Sequence, residues 1–243
     1  MKRKMNFSST LRTMLILAVI VLSLAAIHGI FTTRALADDA SDTRQLVERA
    51  KLTLETFMQA PETEGFRNLV KRARGVFIAP VVLRGAFVFG ISGGSGVFLA
   101  RDSKSGVWVG PAFYTVGEVS FGFQIGGEAS EVVFLAMTDR GVSSLLKGSV
   151  KLGADVGVAL GPIGAGADAS TANLSVDILT FSRSKGLYGG VSLEGSYVHV
   201  RDGWNNAYYG LNVSPTDILI TKVVSNRHAL GLLDMLSVAS SAK

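Results

Sequence analysis

The chain has no cysteine, only three histidines and five prolines, and few charged residues for its length of 243. The first absence excludes a disulfide framework, a thiolate nucleophile, a Cys-ligated metal and a lipid-modified cysteine at a lipoprotein cleavage site. The second leaves His199 and His228 as the imidazoles beyond the N-terminal segment, with no cluster of acids beside them. Neither a metal site nor any other cofactor is therefore expected. Internal repeats and low-complexity linkers are missing too, so a single core is expected.

What is present begins at the N-terminus. Lys2, Arg3, Lys4 and Arg12 precede a run from Thr13 to Thr33 without formal charge, which closes on Ala35-Leu36-Ala37. Basic, apolar and small-residue parts in that order make a secretory signal, with cleavage expected before Asp38. The competing reading is an uncleaved anchor, since about 20 apolar residues span a bilayer. The expected division is residues 1–37 as signal peptide and 38–243 as one domain. The expected location is exported: periplasmic, secreted or peripheral to a membrane. The leader holds five basic residues and no acidic ones, which leaves 19 basic against 19 acidic in the remainder. The formal charge of +5 thus belongs to the leader, and nucleic-acid binding as a bulk electrostatic effect gains no support.

From Asp42 to Met58, Leu46, Val47, Ala50, Leu54, Phe57 and Met58 recur at helical spacing among charged residues, which predicts an amphipathic helix. Pro61 ends it, and Phe66, Leu69, Val70 and Ala73 predict a second helix over Glu62 to Ala73. After Gly75 the pattern changes to short β-like runs bounded by glycine, with tight turns that favour antiparallel pairing. Asp139 to Lys147 reads as a two-turn helix. Ser214-Pro215-Thr216-Asp217 reads as a capping box with an N1 proline, and Arg227 to Val238 as a core-packed C-terminal helix. The expected fold class is α+β: a curved antiparallel β-sheet or partial barrel with N-terminal amphipathic helices and a C-terminal helix. Trp108 is expected to be buried and Trp204 partly exposed, where an indole also suits a membrane interface.

Catalytic patterns are weak. Gly90-Ile91-Ser92-Gly93-Gly94 matches G-x-S-x-G in letters, yet a strand rather than a helix follows it. Ser182–Lys185 and Ser144–Lys147 match S-x-x-K without the companion elements of a penicillin-recognising site. Glu128, Glu131, Asp139 and Asp155 fall on separate segments, so no paired-carboxylate site is supported. A hydrolase using Ser92 or Ser184 is the least supported reading, and a non-enzyme is expected. The run FSRSKGLYGGVSLEGS, Phe181 to Ser196, reads as a hairpin, with Gly189, Gly190 and Gly195 serving close strand packing or turns.

That run occurs together with Gly93-Gly94-Ser95-Gly96, Arg101-Asp102, Trp108-Val109-Gly110-Pro111, Gly122-Phe123-Gln124-Ile125-Gly126-Gly127, Leu160-Gly161-Pro162 and Tyr208-Tyr209-Gly210. In order and spacing these blocks resemble the SYLF domain family from about Leu46 to the C-terminus. The family includes bacterial exported proteins and eukaryotic adaptors. The resemblance implies binding to membrane phospholipid, notably a phosphoinositide-type headgroup, and for some eukaryotic members binding or bundling of actin. Some bacterial relatives look like lipoproteins, and that anchor is excluded here for want of a cysteine.

The expected partner is an anionic phospholipid membrane, and the rival is a protein, either an envelope protein or actin. On the second helix Arg67, Lys71 and Arg74 fall at i, i+4 and i+7 beside the apolar stripe that begins at Phe66. With Arg72 and Arg84 nearby, this is the candidate lipid site, Phe66 or a neighbour being the residue to insert.

Overall fold

The computed structural model describes residues 38–86, 89–121, 126–163, 176–189 and 193–241. The expected signal segment, Gly190 and the stretch from Gly122 to Ile125 lie outside them. Residues 38–59 form helix α1, whose apolar face, Leu46, Val47, Ala50, Leu54 and Phe57, is buried. The chain turns through a 3-10 segment, Pro61–Thr63, into α2, Glu64–Val70. This helix is shorter than the spacing predicts. Arg72 N–H and Ala73 N–H donate to the carbonyls of Leu69 and Val70, a tightened i→i−3 exit that redirects the chain into the sheet.

Strands β1 (Gly75–Ala86), β2 (Phe89–Arg101), β3 (Trp108–Phe121) and β4 (Gly126–Ala136) are long. β5 (Ser149–Lys151), β6 (Val158–Leu160), β7 (Ile178–Ser184), β8 (Leu187–Gly189) and β9 (Tyr197–Val200) are short. They run in the order β5-β9-β3-β2-β1-β4-β7-β6, with β8 beside β7, in a strongly curled half-barrel. The expected α+β half-barrel is therefore what the chain forms, with one departure. β6 pairs with β7 in parallel, so the sheet is mixed. Seventeen residues separate Leu160 from Ile178, the length a parallel crossover requires.

Alternate residues of the central strands enter two cores. Val76, Ile78, Val97, Leu99, Phe113 and Val133 meet α1, α2 and the C-terminal helix α6 (Leu230–Ser241) on one face. Phe77, Phe98, Tyr114 and Phe134 fill the other, closed by α3 (Asp139–Leu145) and α5 (Pro215–Leu219). Phe77 and Phe134 stack there at 4.8 Å. A bulge at Ala79–Val81 shifts the register of β1 against both neighbours, so that Val82 joins Phe77 and Ala79 in the second core.

Local signals in the sequence correspond closely to what forms. Ser214 and Asp217 make the reciprocal capping box. Thr138 Oγ1 accepts from Gly141 N–H to start α3. The turn between β7 and β8 is Lys185-Gly186, both at positive φ (49° and 79°), the two-residue type I′ geometry of a tight hairpin. Trp108 is buried with Nε1–H donating to Ser240 Oγ at 3.1 Å. Trp204, on α4 (Asp202–Tyr209), is half-buried, donates to Asp39 Oδ1 and lies under the Arg201 guanidinium at 3.3 Å. Of the expected structural glycines, Gly195 sits in a turn at φ 94°, whereas open space surrounds the Cβ position of Gly189.

Candidate functional site: a basic groove at the end of the sheet

Where α2 hands over to β1, a groove of about 790 Å³ opens at the end of the sheet. Arg72 and Arg74 reach it from the α2–β1 connection. Arg101, Asp102 and Lys104 come from the β2–β3 turn, Asp139 from the start of α3, and Lys222 from the segment after α5. The local sequence RDSKSG explains the turn. Asp102 Oδ1 accepts from Lys104 N–H (3.1 Å), Ser105 N–H (2.7 Å) and the Ser105 hydroxyl (2.8 Å), an Asx-type turn closed by the Asp102 N–H to Val107 carbonyl bond. Arg101 holds the turn to the body of the protein, donating through Nε to Gly106 O and through Nη1 to Lys71 O, each at 3.1 Å.

The charge balance follows from these contacts. Five basic side chains face two acidic ones, and both acids are engaged: Asp102 with Lys222, Asp139 with Arg74. Arg72 and Lys104 are exposed, and among the described residues neither side chain has an ion-pair partner. The groove is thus a site with cationic excess and two guanidinium or ammonium groups available for an oxyanion. Bidentate recognition of phosphate suits the arginine.

The Lys222 ammonium first, and the Ser105 donors after it, hold the Asp102 carboxyl well below the usual carboxylate range. A depressed pKa contributes stability that is complete above the unfolded value of about 3.9 and lost only as pH falls through the lower folded value. Asp102→Asn is therefore expected to lower the melting temperature by an amount that stays constant from pH 8 to about pH 4 and shrinks below it. Thermal melts of both proteins across that range check this; a gap that already closes at pH 6 would contradict it.

The residues singled out from the sequence are divided by the structure. Arg72 and Arg74 line the groove, and Lys71 adjoins it through its carbonyl. Phe66 does not: it is fully buried, 5.3 Å from Phe57 and 5.0 Å from Phe181 ring to ring, so insertion of this side chain into lipid is incompatible with the packed fold. Arg67 donates to the carbonyls of Met58 and Ala60 and to Thr63 Oγ1, capping the end of α1. Arg84 lies near the far end of β1, about 30 Å along the strand from Arg74. Lys104 and Lys222 were missed. The Asx-turn sequence around Asp102 was the available signal for Lys104; nothing local marks Lys222.

The serine readings find no support in geometry. Ser92 is buried within β2 between Arg84 and Glu118, with no strand-to-helix elbow, and the Ser184 hydroxyl is directed at Ala129 O. Among the described residues no three His, Cys, Asp or Glu side chains are grouped to hold a metal ion.

Residues 117–239, half of the chain, match the family model described as Ysc84, Las17-binding protein actin regulator. The chain belongs to the Ysc84 (SYLF) family. It is 34% identical over 186 residues to Protein YSC84 of Saccharomyces cerevisiae, covering 72% of this chain and 39% of that protein. It is 32% identical over 172 residues to SH3 domain-containing YSC84-like protein 1 of Rattus norvegicus, covering 70% of this chain and 50% of the relative. LAS seventeen-binding protein 3 of Saccharomyces cerevisiae is 34% identical over 160 residues, 64% of this chain and 34% of its own length. The chain thus spans half or less of these relatives. In this Ysc84-family chain the matched stretch supplies Asp139, α5 and Lys222, while Arg72 and Lys104 precede it.

Proposed function

We propose that this chain is an exported, non-enzymatic module that associates peripherally with anionic phospholipid, its groove receiving the headgroup phosphate. The observation that carries this reading is the cationic excess of the groove, with Arg72 and Lys104 uncommitted. The resemblance to SYLF domains favours a phosphoinositide-type headgroup. Export rests on residues 1–37, whose basic start, apolar run and Ala35-Leu36-Ala37 close make a cleavable signal. No helix among the described residues is long and apolar enough to cross a membrane.

An excess of three charges near an acidic surface contributes about 3 kcal/mol, enough to concentrate the protein at the surface without anchoring it. Binding to vesicles is therefore expected to require acidic lipid and to weaken steeply between about 0.05 M and about 0.5 M salt, as screening shortens the reach of the groove. Co-sedimentation of purified protein with phosphatidylcholine vesicles, with and without acidic lipid, tests this. Equal binding to both, or to neither, would defeat it.

A second reading has its own support. The family description names a Las17-binding actin regulator, and one relative is named LAS seventeen-binding protein 3. On that reading the groove receives an acidic segment of a partner protein. Co-sedimentation with filamentous actin in the absence of lipid separates the two.

A further inference from the structure

We infer that the segment Ile220–Val223, together with Val107, is the part of the protein that enters the bilayer, seating the groove on the membrane surface. The inference rests on the lipid reading above and extends it to the apolar half of the contact. A cationic groove that only concentrates the protein needs an apolar element beside it to hold the protein there.

The aliphatic side chains are where such an element has to be. Ile220 (48% exposed) lines the groove itself, Val223 (63%) follows Lys222, and Val107 (57%) closes the Asp102 turn. Lys222 also lines a neighbouring hollow of about 230 Å³, whose rim carries Leu230, 52% exposed. Single exposed aliphatic residues are normal on any protein. Here Ile220 and Leu230 border hollows that Lys222 also lines, Val223 follows it in sequence, and the Val107 carbonyl is bonded to the Asp102 that holds the Lys222 ammonium, with an excess of cations in the groove beyond. Aliphatic tips ringed by cations complement an anionic bilayer, which offers negative headgroups above hydrocarbon; this charge pattern commits the face to lipid.

The segment is also held ready. Ile220 N–H and Thr221 N–H donate to Thr216 O, the Thr221 hydroxyl and Val223 N–H donate to Asp217 O, and Lys222 adopts a left-handed φ of 55° with its ammonium on Asp102. The backbone is thus ordered before contact, and insertion does not have to order it.

Because the chain has no cysteine, a single Val223→Cys variant of the full chain takes one environment-sensitive fluorophore at a known position. Leu187→Cys is the reference. Leu187 is 77% exposed and sits at the end of the β7–β8 hairpin, whereas the opposite end of β7, at Ile178, pairs with Ala136 beside the groove. With vesicles containing acidic lipid, the probe at 223 is expected to shift to the blue and be quenched by spin-labelled acyl chains, and the probe at 187 is not. Ile220→Ser with Val223→Ser is expected to weaken binding about tenfold per residue and to abolish whatever binding survives high salt. Vesicle binding by wild type while the probe at 223 stays unquenched overturns the inference and leaves the lipid reading standing; quenching at 187 instead overturns the inference and moves the lipid contact away from the groove. Failure of wild type to bind any acidic vesicle overturns both, and a blue shift of the probe at 223 on adding filamentous actin without lipid would overturn the inference and assign this face to a protein.

Discussion

Reversing both uncommitted charges, Arg72→Glu with Lys104→Glu, is expected to abolish binding to acidic vesicles while leaving the melting temperature unchanged. The double change turns five basic against two acidic side chains into three against four. At about 1 kcal/mol per charge near an anionic surface, four units of charge amount to roughly 4 kcal/mol, close to a thousandfold in affinity. Stability is spared because both side chains are exposed and neither makes an ion pair or side-chain hydrogen bond among the described residues. Arg67→Glu is the instructive contrast. Its guanidinium holds the carbonyls of Met58 and Ala60, and a hydrogen bond to a charged group is worth about 1.5–3 kcal/mol. That variant should melt earlier whatever it does to lipid binding, so a loss of binding there would say little about the site. Vesicle co-sedimentation beside thermal melts decides the matter. Wild-type binding by the Arg72/Lys104 variant would remove the groove from the headgroup site.

The difference between those two arginines also shows where the sequence stops being informative. Helical spacing put Arg67, Lys71 and Arg74 on one stripe, which holds only if the helix continues through all three. It ends at Val70, because the chain must enter β1 at Gly75, and Arg74 swings round to Asp139, 65 positions further on. Features set by near neighbours were legible: the buried face of α1, the capping box at Ser214, the hairpin at Lys185-Gly186, the burial of Trp108. The other half of the site was not. Lys222 meets Asp102 across 120 positions, and no local pattern encodes that meeting. The parallel pairing of β6 with β7 escaped for the same reason, since tight turns elsewhere argue for antiparallel neighbours and the crossover is a long-range choice.

Glycine makes the same point in a form that can be measured. The sequence drew attention to Gly189, yet a Cβ placed there would meet nothing within 4 Å. Gly94, which the letters place in an apparent nucleophile elbow, is by contrast sterically required. Val81 stands at the bulge in β1, and a Cβ on Gly94 of β2 would lie 2.3 Å from its carbonyl oxygen. The obstructing atom is backbone, so no side-chain rotation relieves the clash. Either β1 and β2 separate or the bulge straightens, and straightening it would move Val82 out of the second core. Overpacking of this kind costs about 2–3 kcal/mol, which for a domain of this size lowers the melting temperature by about 5–10 °C. Gly94→Ala is therefore expected to melt early by that margin, and Gly189→Ala to melt with wild type or slightly above it. An equal effect at the two positions would mean that the bulge is not held against β2, and that the alternation feeding the second core has another cause.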